Sequence, residues 1–193
     1  MKIGILGGTF DPVHNGHLDM ARFCQEAFAL DRVMFLPLGD APHKTHITSK
    51  RLRAAMLRAA LVDQPNFVFC DMELKRRGKT YTVETLKTLT EQAPDTYYYI
   101  IGGDTVGALL TWKDPEEVFR MTEFIVVDRH GYDSQADAAQ AISMGARLHF
   151  THHEGLDISS SQVRTRVKEG LDIDTLVPLK TAEVIRKYGI YRN

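Results

Sequence analysis

The chain of 193 residues carries 24 Lys and Arg against 25 Asp and Glu, a balance that excludes bulk attraction to nucleic acid or to an anionic membrane surface. At 44% hydrophobic and 25% charged, its composition is that of a globular protein, and no apolar run approaches the ~18 residues of a membrane span. The length suits one domain with a core of its own, so residues 1–193 are expected to form a single unit.

Residues 2–6 read as a buried strand and 16–30 as an amphipathic helix. A second strand covers 32–38, and a helix over 49–62 sets Leu52, Met56 and Ala60 on one face. A third strand covers 66–74, and a helix over 83–92 carries Val83, Leu86 and Leu89 at helical spacing. The fourth strand, 97–101, runs through Gly102-Gly103-Asp104 into another helix. A fifth, 123–128, precedes an Ala-rich helix over 135–144, and a sixth, 147–151, precedes closing helices over 160–168 and 181–187. Strand and helix in alternation imply parallel strands joined by right-handed crossovers, an α/β doubly wound, Rossmann-like sheet. No repeat or linker divides the chain.

The amino-terminal apolar run is interrupted by glycine too soon for a signal peptide, and Cys24 and Cys70 lie in apolar settings suited to buried, reduced thiols. The cytoplasm is therefore the compartment expected by default.

The segment Gly7-Gly8-Thr9-Phe10-Asp11-Pro12-Val13-His14-Asn15-Gly16-His17 follows the first strand and opens into a helix, the place where an open parallel sheet binds its ligand. Two glycines let backbone N–H groups approach a phosphate, and the helix start adds free donors and partial positive charge. His14 and His17, three residues apart, can turn both imidazoles to one anion. A zinc site on this pair lacks a third ligand nearby, so no residue is assigned to metal. Asp11 is expected to shape the turn through side-chain-to-backbone bonds. Near the other end, Ile158-Ser159-Ser160-Ser161-Gln162-Val163-Arg164 has N-cap chemistry followed by a cation one turn into the helix. Trp112, the single tryptophan, is open to two readings: a core residue, or a ring that stacks on a planar ligand. Asp104, at a strand's carboxyl end, suits ribose hydroxyls or a helix cap equally. Gly78-Lys79-Thr80 imitates the end of a phosphate-binding P-loop, but the earlier glycine falls on Glu73, and the stretch reads as a solvated basic loop.

The first segment resembles the H-x-G-H signature of the nucleotidyltransferase superfamily in its long form, G-G-T-F-D-P-x-H, and the second is similar to I-S-S-T-x-I-R, with Ser161 for Thr and Val163 for Ile. Ala41-Pro42-His43-Lys44 resembles P-P-H-K, with Ala41 a departure that keeps the cation. Tyr81-Thr82-Val83-Glu84-Thr85-Leu86, Ile101-Gly102-Gly103-Asp104, Trp112 and Val127-Asp128-Arg129-His130-Gly131 resemble segments of the bacterial nicotinate-nucleotide adenylyltransferases, with His130 standing where that family has Pro. The resemblance is weakest over 132–150.

It implies transfer of AMP from ATP to nicotinic acid mononucleotide, giving deamido-NAD and pyrophosphate. It implies ATP binding by Gly8, Thr9, Phe10, His14, His17, Gly102, Asp104, Ile158, Ser159, Ser160 and Arg164. Lys44, Thr82, Thr85, Trp112 and Arg129 would take the mononucleotide. His17, Lys44 and Arg164 would act in catalysis, and Mg2+ would ride on the ATP phosphates. The rival readings are nicotinamide mononucleotide or phosphopantetheine as acceptor, or a non-catalytic nucleotide-binding module on the same fold. Neither nucleic acid nor membrane is expected as a partner, and a homo-oligomer is left open.

Overall fold

The computed structural model describes residues 1–40, 47–128 and 133–192. Six strands form one parallel sheet: β1 (Lys2–Gly8), β2 (Arg32–Pro37), β3 (Phe67–Phe69), β4 (Thr96–Gly102), β5 (Glu123–Asp128) and β6 (Leu148–His152), in the order β3-β2-β1-β4-β5-β6. The doubly wound expectation is met, and the order reverses between β1 and β4, the switch point where such sheets open.

The inner strands β2, β1, β4 and β5 are sandwiched because alternate residues feed two cores. On one face α1 (Asn15–Ala27) buries Leu18, Ala21 and Cys24, and α2 (Lys50–Leu61) buries Met56, Leu57 and Ala60. Helices α7 (Ser160–Lys168) and α8 (Leu179–Tyr188) close this face with Val163, Ala182 and Ile185. On the other face lie α4 (Thr82–Gln92), a 3-10 helix over Gly103–Thr111, α5 (Pro115–Met121) and α6 (Gln135–Ser143), which bury Leu86, Leu109, Phe119 and Ala141. A short helix, α3 (Met72–Lys75), stands where the sequence reading continued the third strand to residue 74. The ladder to β2 ends after Cys70, whose N–H reaches Phe35, and the chain then turns to carry Glu73 into the interior. The segment after Gly102 is 3-10 rather than α-helical, and α5 went unread in the sequence.

Both cysteines are free thiols; Cys24 is fully buried, and burial pushes its thiol up to about 12, while Cys70 is half-buried. No helix among the described residues is long and apolar enough to cross a membrane.

Candidate active site

The crevice originates in the sheet register. β1 and β4 pair from Lys2↔Thr96 to Leu6↔Ile100, after which Gly7 and Gly8 continue against β2 and Ile101 and Gly102 against β5. The two halves therefore part at their carboxyl ends, and the loops after β1 and β4 border the gap. Tyr99 fills its floor on one side. Its hydroxyl would lie 2.4 Å from a Cβ at Gly7 and faces the Thr82 side chain, and burial pushes the phenol well above its ordinary value. Packing thus explains why residue 7 is glycine, before any ligand is considered. We expect Gly7→Ala to lower unfolding free energy by about 1–3 kcal/mol in a urea titration. A change under about 0.5 kcal/mol would show that Tyr99 moves aside at little cost.

Beyond Gly8 the loop is anchored by apolar and polar contacts together. Phe10 takes a left-handed backbone (φ 48°) that sends its ring into the core, against Phe35 on one side and edge-on to His17 at 5.0 Å on the other. The Asp11–Pro12 peptide is cis. His14 caps α1, and its ring lies over that of His17 with centroids 3.6 Å apart. The His14 backbone N–H donates to His17 Nδ1 at 3.2 Å. Because Nδ1 accepts, the proton of a neutral His17 ring sits on Nε2, the nitrogen facing away from the cap.

The second motif docks directly on this loop. Ser160 Oγ donates to the Pro12 carbonyl at 2.8 Å, and Arg164 Nη1 to the Asp11 carbonyl at 2.7 Å. Arg164 Nη2 also bonds Ser161 Oγ at 3.0 Å, so the guanidinium tethers two motifs and retains further N–H donors for an anion. Ser159 provides the expected N-cap and forms a capping box with Gln162, and Ile158 is anchored in the core. Residues 9–17 and 158–164, read separately in the sequence, therefore border one crevice.

Asp104 stands exposed in the first turn of the 3-10 helix, its Oδ1 folded back over Gly102. Trp112 goes part of the way to the core reading: the half-buried ring packs edge-on to Tyr99 (5.6 Å) and Phe124 (6.1 Å). Thr82 opens α4 beside Tyr99. Thr85 is 1% exposed; its hydroxyl donates to Glu73 at 2.9 Å and accepts from Arg76 at 3.3 Å, so the structure does not bring it to the surface. Lys44, with its motif from Ala41, and Arg129, His130 and Gly131 lie outside the described residues.

Three residues that the sequence reading left without these partners hold the site together. Arg53, 2% exposed, donates to the carbonyls of Thr48, Thr9 and Gly39 at 3.0, 2.8 and 3.2 Å. Asp11 bonds backbone as expected, but the backbone of a distant segment: its Oδ2 accepts from the Thr48 N–H at 3.0 Å. Tyr191 donates to Asp11 Oδ1 at 2.6 Å.

Residues 5–166 match the family described as cytidylyltransferase-like. Proteins curated as "Probable nicotinate-nucleotide adenylyltransferase" are similar over nearly their whole length. That of Opitutus terrae is 41% identical, covering 100% of this chain and 98% of its own, and that of Desulfitobacterium hafniense (strain Y51) is 38% identical, covering 99% and 96%. Among solved structures, Plasmodium falciparum nicotinic acid mononucleotide adenylyltransferase complexed with NaAD superposes with a TM-score of 0.80, over 98% of this chain and 97% of that one. At 21% identity this likeness speaks to the fold.

Proposed function

The chain belongs to the nicotinate-nucleotide adenylyltransferase family of the cytidylyltransferase-like group, and on that premise we propose that its 193 residues work as one domain that joins nicotinic acid mononucleotide to the AMP moiety of ATP. The products are deamido-NAD and pyrophosphate, and the reaction belongs to NAD biosynthesis. One observation supports the choice of site above the others: the serine-led start of α7 is bonded to the loop that carries His14 and His17. Backbone N–H groups, imidazole and guanidinium then converge on one crevice, the donor set a triphosphate requires.

An oxygen of the mononucleotide's phosphate attacks the α-phosphorus of ATP, and the bond from that phosphorus to the bridging oxygen of the pyrophosphate breaks. The attacking monoester has its second pKa near ~6, so it arrives largely as the dianion and needs no protein base. The protein's work is alignment and neutralisation of charge on the departing pyrophosphate. His17 Nε2–H, the backbone of Gly8, Thr9 and Phe10, the Ser159-Ser160 helix start and Arg164 are assigned to those oxygens. His14 holds His17 in place, and Gly102 and Asp104 border the nucleoside side. Lys44 is assigned by its motif to the phosphates of both substrates and to catalysis, and Arg129, Thr82 and Trp112 to the mononucleotide side. Thr85 acts there through Arg76 and Glu73.

Among the described residues no group of three or more His, Cys, Asp or Glu side chains is gathered to hold a metal. A Mg2+ ion would be carried by the ATP phosphates, and no step is assigned to it. The cytoplasm, where both thiols stay reduced, is the compartment this reading assigns.

A pyrophosphate-release assay with ATP against nicotinic acid mononucleotide, nicotinamide mononucleotide and phosphopantetheine tests the reading. Release with the first acceptor at a kcat/KM at least about tenfold above the others is expected; a tenfold margin is about 1.4 kcal/mol of discrimination, well within reach of one charged contact. Equal use of the amide would overturn the acid preference, and silence with all three would favour a binding module.

A further inference from the structure

We propose that Tyr191 is a positioning residue for the nucleotide site, acting through Asp11 on the loop after β1. Tyr191 follows α8 and is 180 positions from Asp11 in sequence, yet its hydroxyl donates to Asp11 Oδ1 at 2.6 Å and also touches Met56 Sδ. Its backbone is left-handed at φ 68°, which turns the ring back under α2 instead of continuing along α8. Asp11 itself is only 7% exposed, and a carboxylate so buried is costly unless its oxygens are all occupied. Here one oxygen takes the phenol and the other the Thr48 N–H. The backbone carbonyl of the same residue takes Arg164. Asp11 is therefore the joint at which α8, the segment before α2 and the start of α7 meet on a single loop residue. Burial and the carboxylate together raise the phenol's pKa, so it remains a donor throughout the physiological range.

The consequence is a division of labour. The groups assigned to the triphosphate, from Gly8 to His17, flank Asp11 on both sides, whereas Thr82 and Thr85 lie on α4 and Trp112 follows the 3-10 helix, on the other face of the sheet. Releasing the phenol bond should loosen the ATP side and leave the acceptor side unchanged. This inference rests on reading the crevice as an ATP site, and it takes Tyr191 as a residue that touches neither substrate.

The test uses the full chain carrying Tyr191→Phe, Asp11→Asn and both. Tyr191→Phe keeps the ring that packs below α2 and removes only the donor. Expected is a loss of about tenfold in kcat/KM for ATP, with the mononucleotide KM within about twofold, as small misplacements of aligned groups act on turnover. In the Asp11→Asn background the same change should cost less than about twofold, since two members of one network do not add. Amide exchange of residues 9–14 should rise about tenfold while that of α8 stays constant. Additive losses, or equal effects on both substrates, would overturn the proposal. The exchange arm needs no turnover: if the unmodified protein releases no pyrophosphate, the functional reading fails, and unchanged exchange at 9–14 would still refute the tether by itself.

Discussion

Replacing His17 with alanine is expected to cut kcat by about 10²–10³-fold, the usual loss when one pre-aligned donor to a developing anion is removed. The ring is held on three sides before any substrate arrives. Phe10 meets its edge, His14 covers its face, and the His14 N–H occupies Nδ1. Those contacts fix the ring's orientation and put the proton of its neutral form on Nε2, the atom assigned to the leaving oxygens. The same contacts predict a small structural cost. His17 is the third residue of α1 and takes part in its capping box, a role worth about 1 kcal/mol at most when one of several end bonds is lost. The decisive signature is a large fall in kcat with a melting temperature lowered by no more than about 2–4 °C. A variant that turns over within about twofold of the original would remove His17 from the chemistry.

The fold was legible wherever apolar period and glycine punctuation agreed. The alternation of short buried strands with helices, the opening of α1 at His14 and the capped start at Ser159 all follow from local pattern, and apart from the end of β3, α3 and α5 the elements fall within a few residues of where that pattern put them. The site was legible only as two motifs. What brings them together is a set of polar bonds between residues such as Ser160 and Pro12, which leave no periodic trace because each depends on one side chain finding one distant carbonyl. Helix α2 shows the difference most clearly. Its pattern suggested a face of Leu52, Met56 and Ala60, whereas the buried face comprises Arg53, Met56, Leu57, Ala60 and Leu61. A hydropathy reading rejects arginine from an interior face, so the one cation that belongs there was passed over. Thr85 errs in the other direction: it lies in a recognisable segment, but its hydroxyl is consumed by Glu73, a carboxylate that the strand reading left in an extended run. Helix α5 had a readable signal in Asp114-Pro115-Glu116-Glu117, a proline at the first turn with acidic residues after it, and its brevity hid it.

Arg53 carries the largest stability prediction. Its three bonds go to carbonyls on three different segments: Thr9 after β1, Gly39 after β2 and Thr48 before α2. None of these residues lies in a strand or helix, and the guanidinium joins the three segments. Burial pushes the Arg53 pKa down and the Asp11 carboxylate pushes it up, and the guanidinium stays charged. Arg53→Met keeps much of the stem and removes the fork. One buried and two part-buried acceptors would then lose this partner and Asp11 would lose a neighbouring cation, a combination expected to cost about 3–5 kcal/mol. For a chain of this length that corresponds to a melting temperature lower by roughly 6–20 °C. Arg53→Lys retains the charge but cannot serve three carbonyls in one plane, so it should recover less than about half of the loss. Differential scanning calorimetry of the three proteins decides the matter. Should Arg53→Met melt within about 2 °C of the original, the three loops are held by their apolar contacts, and the bonds to Arg53 are incidental. If instead the loss is as large as expected, the residual activity of the folded fraction becomes informative. The Thr9 carbonyl that Arg53 holds is one residue from Gly8 and Phe10, whose backbones are assigned to the triphosphate, so kcat should fall even where the chain remains folded.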